Sequence, residues 1–252
     1  MTRILALALA GAGLLVMGVR ADDEIDAKTN EILKKIGALY KDAKSMHVDM
    51  AIDGKIELDG QDPREIKIKG TIDFKRPNFF ALRTVVNKDT NAGPDVVCDG
   101  KNLVVFAKRM KQYTEKKAPA KMADIGRALL PLQFSNVGML FQNVLADDPM
   151  AALLEGVTDG KYTGTEKVGG KDCHHLKFKQ PGLDWEIWVA VEGQPFVLKA
   201  KNEAEPPQGG KLTTVETYTN WKLNPEFEKD PFTFKAPEDA KKVDRIGSQQ
   251  DG

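Results

Sequence analysis

The chain has 252 residues, with 37 basic and 37 acidic side chains and two cysteines. This balance argues against electrostatic nucleic-acid binding, which needs a clear excess of Lys and Arg on one face. Behind its N-terminal leader about 230 residues remain, enough for one large β-rich domain or two small ones.

Residues 1–21 read as a secretion signal. Arg3 supplies the positive start, Ile4 to Met17 the apolar run, and Val19-Arg20-Ala21 the small-x-small pattern, which predicts cleavage after Ala21. The alternative is an uncleaved anchor, but the run falls short of the roughly 20 residues of a comfortable span. Its first cysteine is Cys98, so lipid attachment at the cleavage site is excluded by chemistry. Cleavage would remove Arg3 and Arg20, leaving a net charge of −2 on a periplasmic chain with no integral membrane span. In an oxidising compartment Cys98 and Cys173 could pair, but their sequence separation leaves the disulfide open.

Residues 22–44 have the period of an amphipathic helix, with Ile25, Ile32, Leu33, Ile36, Leu39, Tyr40 and Ala43 on one stripe. Asp22, Asp23 and Glu24 fit its first turn, and Lys41 and Lys44 its end. Strands follow. Val48, Met50, Ile52, Ile56 and Leu58 alternate with polar residues, as do Ile66, Ile68, Ile72 and Phe74, which gives each strand one buried and one wet face. Residues 59–63 form a turn by composition. Further strands are predicted over 79–86, 96–98 and 103–107. The Lys-rich stretch 108–117 reads as a solvated face or, more sharply, as a contact for anionic lipid.

Residues 119–155 change character. Met122, Ile125, Leu129 and Leu130 predict one helix, and Val137, Leu140, Phe141, Val144 and Leu145 another, punctuated by Pro131 and Pro149. A second block of strands begins near Tyr162. His174, Leu176 and Phe178 share one face of a strand and Cys173, His175 and Lys177 the other. Trp185, Ile187, Val189 and Val191 alternate with Glu186, Trp188 and Ala190. A strand over 196–200 precedes a polar Pro/Gly loop over 203–210. The strand Thr213 to Leu223 carries Val215, Thr217, Thr219 and Trp221 on one side. Phe232-Thr233-Phe234 is predicted as the last strand, with a frayed, charged tail from Glu238 onward.

These elements predict an α+β fold, a single domain over 22–252. One large antiparallel sheet of ten or eleven strands curls into an unclosed half-barrel. The N-terminal helix and the helical insertion cover its concave face as a lid or plug. The apolar faces that hold Val48, Met50, Ile52, Ile66, Ile68, Ile72 and Phe74 should share that concavity. Trp185 either packs in the core or lines a ligand cavity.

Catalytic signals are missing. Successive residues on a strand alternate faces, so Cys173, His174 and His175 cannot all ligate one metal, and two ligands fall short of the usual three or four. A Cys/His nucleophilic pair would need a third, orienting group. There is no phosphate-binding Gly loop, nucleophile elbow or zinc-protease motif. We expect no catalytic residue, no metal and no cofactor. Arg76, at the end of a strand before Pro77, reads on its own as a solvated residue that blunts an edge.

Gly70-x-Ile72-x-x-Lys75-Arg76-Pro77-Asn78-x-Phe80, then Asp99-Gly100-Lys101-x-Leu103, then Phe232-x-Phe234-x-x-Pro237 resemble, in order, the motifs of the periplasmic lipoprotein-carrier family (LolA/LolB-like). The family has aromatic residues where this chain has Asp73 and Val104. Cys173-His174-His175-Leu176-x-Phe178 followed by Asp184-Trp185-x-x-Trp188 resembles a branch of predicted periplasmic proteins without established activity that shares the carriers' fold. The resemblance implies an unclosed barrel whose cavity takes acyl chains. Its lining would be Val48, Met50, Ile52, Ile66, Ile68, Ile72, Phe74, Trp185 and Ile187, with Leu140 and Phe141 from a lid formed by residues 119–155. It makes Arg76 the latch that hydrogen-bonds this lid. The implied protein is a non-enzymatic carrier or sequestering protein for a lipid or acylated protein. The alternative is an envelope sensor or interaction domain with a protein partner.

Overall fold

The computed structural model describes residues 25–129, 143–206 and 209–247. The expected leader lies outside them, as do Asp22, Asp23, Glu24, Leu130, Val137, Leu140 and Phe141. The N-terminal helix α1 (Ala27–Asp42) is capped by Asp26, whose Oδ1 accepts from the Thr29 N–H at 2.8 Å. This satisfies one of the orphan donors of the first turn. Ile32, Leu33, Ile36 and Tyr40 recur at helical spacing and are fully buried, each contributing roughly 1.5–3 kcal/mol by leaving water.

Eleven strands carry the sheet: β1 (Ser45–Glu57), β2 (Arg64–Lys75), β3 (Phe79–Val86), β4 (Pro94–Asp99), β5 (Asn102–Ala107), β6 (Gln112–Lys117), β7 (Asp159–Val168), β8 (Lys171–Gln180), β9 (Leu183–Ala190), β10 (Val197–Ala204) and β11 (Lys211–Leu223); a two-residue strand, β12 (Lys241–Lys242), completes it. The order is β12-β6-β5-β4-β3-β2-β1-β11-β10-β9-β8-β7. Two meanders, β1 to β6 and β7 to β11, are therefore stitched together through β1 and β11. Every pair is antiparallel except β12 with β6. The outermost strands β7 and β12 are not neighbours, so the sheet stays unclosed. Helices α2 (Met122–Leu129) and α3 (Pro149–Leu154) belong to the insertion.

Gly70 marks a close approach within β2. A Cβ there would collide with the carbonyl oxygen of Arg83 on β3, so only Gly fits this rung.

Four expectations are corrected. The stretch 108–117, in which no strand was expected, contains β6, paired with β5 from Gln112 to Lys117, while Arg109, Lys111, Lys116 and Lys117 stay exposed. Its polar composition reflects an edge position. Phe232-Thr233-Phe234 is not a strand, because β12 takes the open side of β6 instead. The Phe232 ring packs edge-on to Phe79 at 5.6 Å, and Phe234 lies 5.6 Å from Phe106 and 5.3 Å from Tyr113, sealing the outer face of the first meander. The tail is not frayed at Val243, which is buried and donates its N–H to the Tyr113 carbonyl at 2.9 Å. Finally, Trp221 leaves the line of Val215, Thr217 and Thr219. Asn220 adopts φ +53°, and Trp221 stacks on Phe196 at 4.9 Å and approaches Tyr40 of α1 at 5.9 Å.

Candidate ligand-binding face

One apolar cluster fills the concave side of the sheet. Val48, Met50 and Ile52 of β1, Ile68, Ile72 and Phe74 of β2, and Trp185 and Ile187 of β9 are all buried in it, and Ile66 packs against its margin. Strict alternation delivers them to one side, since β1 pairs residue for residue with β2 (Ile52 opposite Ile68, Val48 opposite Ile72). α1 lies on this face, and the insertion adds Met122, Ile125, Val144, Leu145 and Leu153. The side chain of Leu129 lies outside the described residues. Helix α3 rests on α1 where Gly37 leaves room: a Cβ there would sit 3.0 Å from the Met150 Cβ. Trp185 stacks on Phe178 at 3.9 Å.

The two sequence motifs meet at one corner of this face. Arg76 donates through Nε to the Ala43 carbonyl (3.1 Å) and through Nη2 to the Tyr40 carbonyl (3.2 Å). Both acceptors belong to the C-terminal end of α1, where carbonyls lack helical partners and a cation suits the dipole. Among the described residues the guanidinium thus holds the end of α1. Burial lowers its pKa, and the Asp147 carboxylate of the insertion opposes that shift. Asn78 contacts the insertion itself. Its Nδ2 donates to the carbonyls of Gly100 (3.0 Å) and Pro119 (2.8 Å). Gly100 has φ +85°, and its turn is closed by Asp99, whose Oδ1 accepts from the N–H groups of Lys101 and Asn102. At the other end of α1, Asp26 also accepts from the Tyr162 N–H of β7. Helix α1 is therefore pinned to the sheet at both ends.

A polar group interrupts the apolar wall. Glu216 of β11 stands opposite Ile52 and is 2% exposed. Its Oε1 accepts from Asn202 Nδ2 at 3.1 Å and its Oε2 from the Tyr218 hydroxyl. Burial pushes its pKa up to about 7, against the pull of Tyr218 and Asn202. The folded chain thus holds this proton more tightly than the unfolded chain. The Glu216 contribution to stability is full below the ordinary carboxylate value and declines as pH rises toward about 7. Sequence reading missed this group because period-2 alternation left Thr214, Glu216 and Tyr218 on the face opposite Val215 and Thr217, without saying which face was wet. The pairing of β11 with β1 decides it.

The Cys173-His174-His175 run divides between the faces as alternation predicts. Cys173 lies with Trp188 and Leu198 in a small cluster on the outer face. His175, also outside, places Nδ1 3.0 Å from Glu166 and Nε2 2.6 Å from Glu186, and stacks on Trp188 at 4.2 Å. It thus pairs with glutamates and not with Cys173. Burial raises the pKa of both the Cys173 and Cys98 thiols, the opposite of nucleophile activation. Cys98 belongs to the concave cluster, so the two free thiols sit on opposite faces of the sheet and are not bridged. A groove of about 750 Å³ opens on the outer face between the Gly169-Gly170 and Glu192-Gln194 turns, beside Phe196, Leu198 and Trp221. Among the described residues no helix is long and apolar enough to cross a membrane.

Several known proteins resemble this chain. Uncharacterized protein MJ0687 of Methanocaldococcus jannaschii is 26% identical over 212 residues, which is 84% of this chain and 52% of that protein. The chain thus spans about half the length of this curated relative. The crystal structure of Mycobacterium tuberculosis lipoprotein LppX aligns with a TM-score of 0.40 at 14% identity, covering 80% of this chain and 99% of LppX. That of the LolA superfamily protein NE2245 from Nitrosomonas europaea aligns at 0.35 and 13%, covering 82% and 97%. The DUF2092 family, described as predicted periplasmic proteins, matches residues 29–245, nearly the whole described sheet with α1. By that match the chain belongs to the DUF2092 family of predicted periplasmic proteins.

Proposed function

We propose that the concave face binds a lipid-like or acylated ligand, and that the chain is a non-enzymatic carrier or sequestering protein exported to the periplasm after cleavage behind Ala21. The observation that carries this reading is the covering of the face. Among the described residues it is covered by α1 and by the two ends of the insertion, and not by further strands. A barrel held shut by separable helices can exchange those apolar contacts for an acyl chain at small net cost, because both surfaces are dry in either state.

In this reading the insertion is the cover that yields to the ligand, and α1 is the fixed one. Arg76 and Asp26 hold both ends of α1, whereas the start of the insertion hangs from Asn78 and from the Ala118 N–H on the Lys101 carbonyl. Val48, Met50, Ile52, Ile66, Ile68, Ile72, Phe74, Trp185 and Ile187 would contact the ligand, together with Leu140 and Phe141 of the insertion.

Titration of the purified chain with N-phenylnaphthylamine tests this. The expected result is saturable fluorescence enhancement, reversed by long-chain amphiphiles. No enhancement would remove the reading and favour an envelope interaction domain, with the outer groove beside Trp221 as its contact surface.

A further inference from the structure

A buried acid on an apolar wall calls for a reason. Glu216, Asn202, Thr214 and Tyr218 form one polar island on the concave face, and Trp185 stands on the rung of Asn202 one strand away. Among the described residues each Glu216 oxygen accepts one hydrogen bond, which fills about half of the roughly four lone-pair sites of a carboxylate. The Trp185 Nε1–H is buried without any acceptor among the described residues. No Lys or Arg is among the described buried residues, so nothing nearby compensates an ionised Glu216.

We propose that Glu216 is the polar anchor of the concave face: it takes the hydrogen-bond-donating head of a single-chain amphiphile, an ammonium in preference to a hydroxyl, and turns away anionic heads. This rests on the ligand-binding reading above and names the head-group class that it left open. The tail would run along Ile52 and Ile68, which stand beside Glu216 on β1 and β2. An ammonium supplies the missing positive charge and three donors, which fill the vacant lone pairs. A phosphate or sulfate would face a like charge with no cation to offset it.

The groups facing Glu216 are few. Its own strand gives Tyr218, β10 gives Asn202, and β1 gives Ile52; Tyr40 of α1 acts on Tyr218. His174 of β8 lies under the charges of Lys28, Lys35 and Glu31 of α1 instead. Burial pushes both tyrosines above the ordinary phenol value, so they stay neutral. The acid that titrates near neutrality on this face is Glu216.

The test is displacement of N-phenylnaphthylamine by dodecylamine and by dodecyl sulfate, both below micelle formation, at about pH 6 and about pH 8, on either side of the Glu216 titration. In the unaltered chain dodecylamine, cationic throughout, should bind severalfold more tightly at the higher pH, and dodecyl sulfate more weakly. Glu216→Gln keeps the shape and one acceptor oxygen but cannot ionise, and should flatten both profiles. Tyr218→Phe keeps the carboxyl but removes one donor, so the dodecylamine profile should move to higher pH. Equal dodecylamine affinity in the Gln variant and the unaltered chain at about pH 8, above the Glu216 titration, with the probe bound by both, overturns the anchor alone. Failure of the unaltered chain to bind the probe removes the cavity reading and the anchor with it.

Discussion

Ile68→Asp should abolish the folded state. Ile68 is 6% exposed, stands opposite Ile52 and Val86, and belongs to the concave cluster. The substitution removes a buried aliphatic side chain, at about 2–5 kcal/mol for truncation alone. It also places a carboxyl where no buried cation is available among the described residues. Desolvating that group adds several kcal/mol, as an ionised acid or as the cost of protonating it. The sum approaches the 5 to 15 kcal/mol that typically holds a domain together. Circular dichroism and a denaturation curve read this directly. A cooperative transition close to that of the unaltered chain would mean that this face of β2 is not the core.

Arg76→Leu should lower stability by about 1.5 to 3 kcal/mol, the range for hydrogen bonds that involve a charged group. The fold should survive, because the sheet and the apolar stripe of α1 remain. The loss falls on one helix end, where the Tyr40 and Ala43 carbonyls lose their partners and Leu supplies no donor. Arg76→Lys should recover only part of this, because one ammonium cannot reproduce a fork that reaches two carbonyls. With α1 less firmly seated, N-phenylnaphthylamine should bind with an affinity changed severalfold. A denaturant midpoint and a probe affinity both unchanged would return Arg76 to a solvated edge residue.

The sheet was legible because its signal is local. Val48 to Ile52 and Ile66 to Phe74 alternate strictly, and a strand with one dry face has little other way to write itself. The concave lining followed from the same alternation. Misreadings came where pairing partners decide. Gln112 to Lys117 looks solvated until β5 is seen beside it. Phe232 and Phe234 have strand-like composition, but their rings are used to cover Phe79, Phe106 and Tyr113. Glu216 could not be assigned a face from its own strand, since only the register with Ile52 turns it inward. The part played by Arg76 was half legible. A family motif marked the residue, but which helix end accepts its hydrogen bonds is a tertiary fact, fixed by where α1 stops.

The central claim is that the ligand face is the concave one. Methyl-labelled NMR spectra of the chain, recorded during titration with N-phenylnaphthylamine, address it most directly. The account predicts shifts at the methyls of Ile52, Ile68, Ile72 and Ile187, which all belong to the concave cluster. The methyls of Val97, Val104 and Leu198, on the outer face, should stay in place. Shifts confined to the outer methyls, with the concave isoleucines unmoved at saturation, would contradict it.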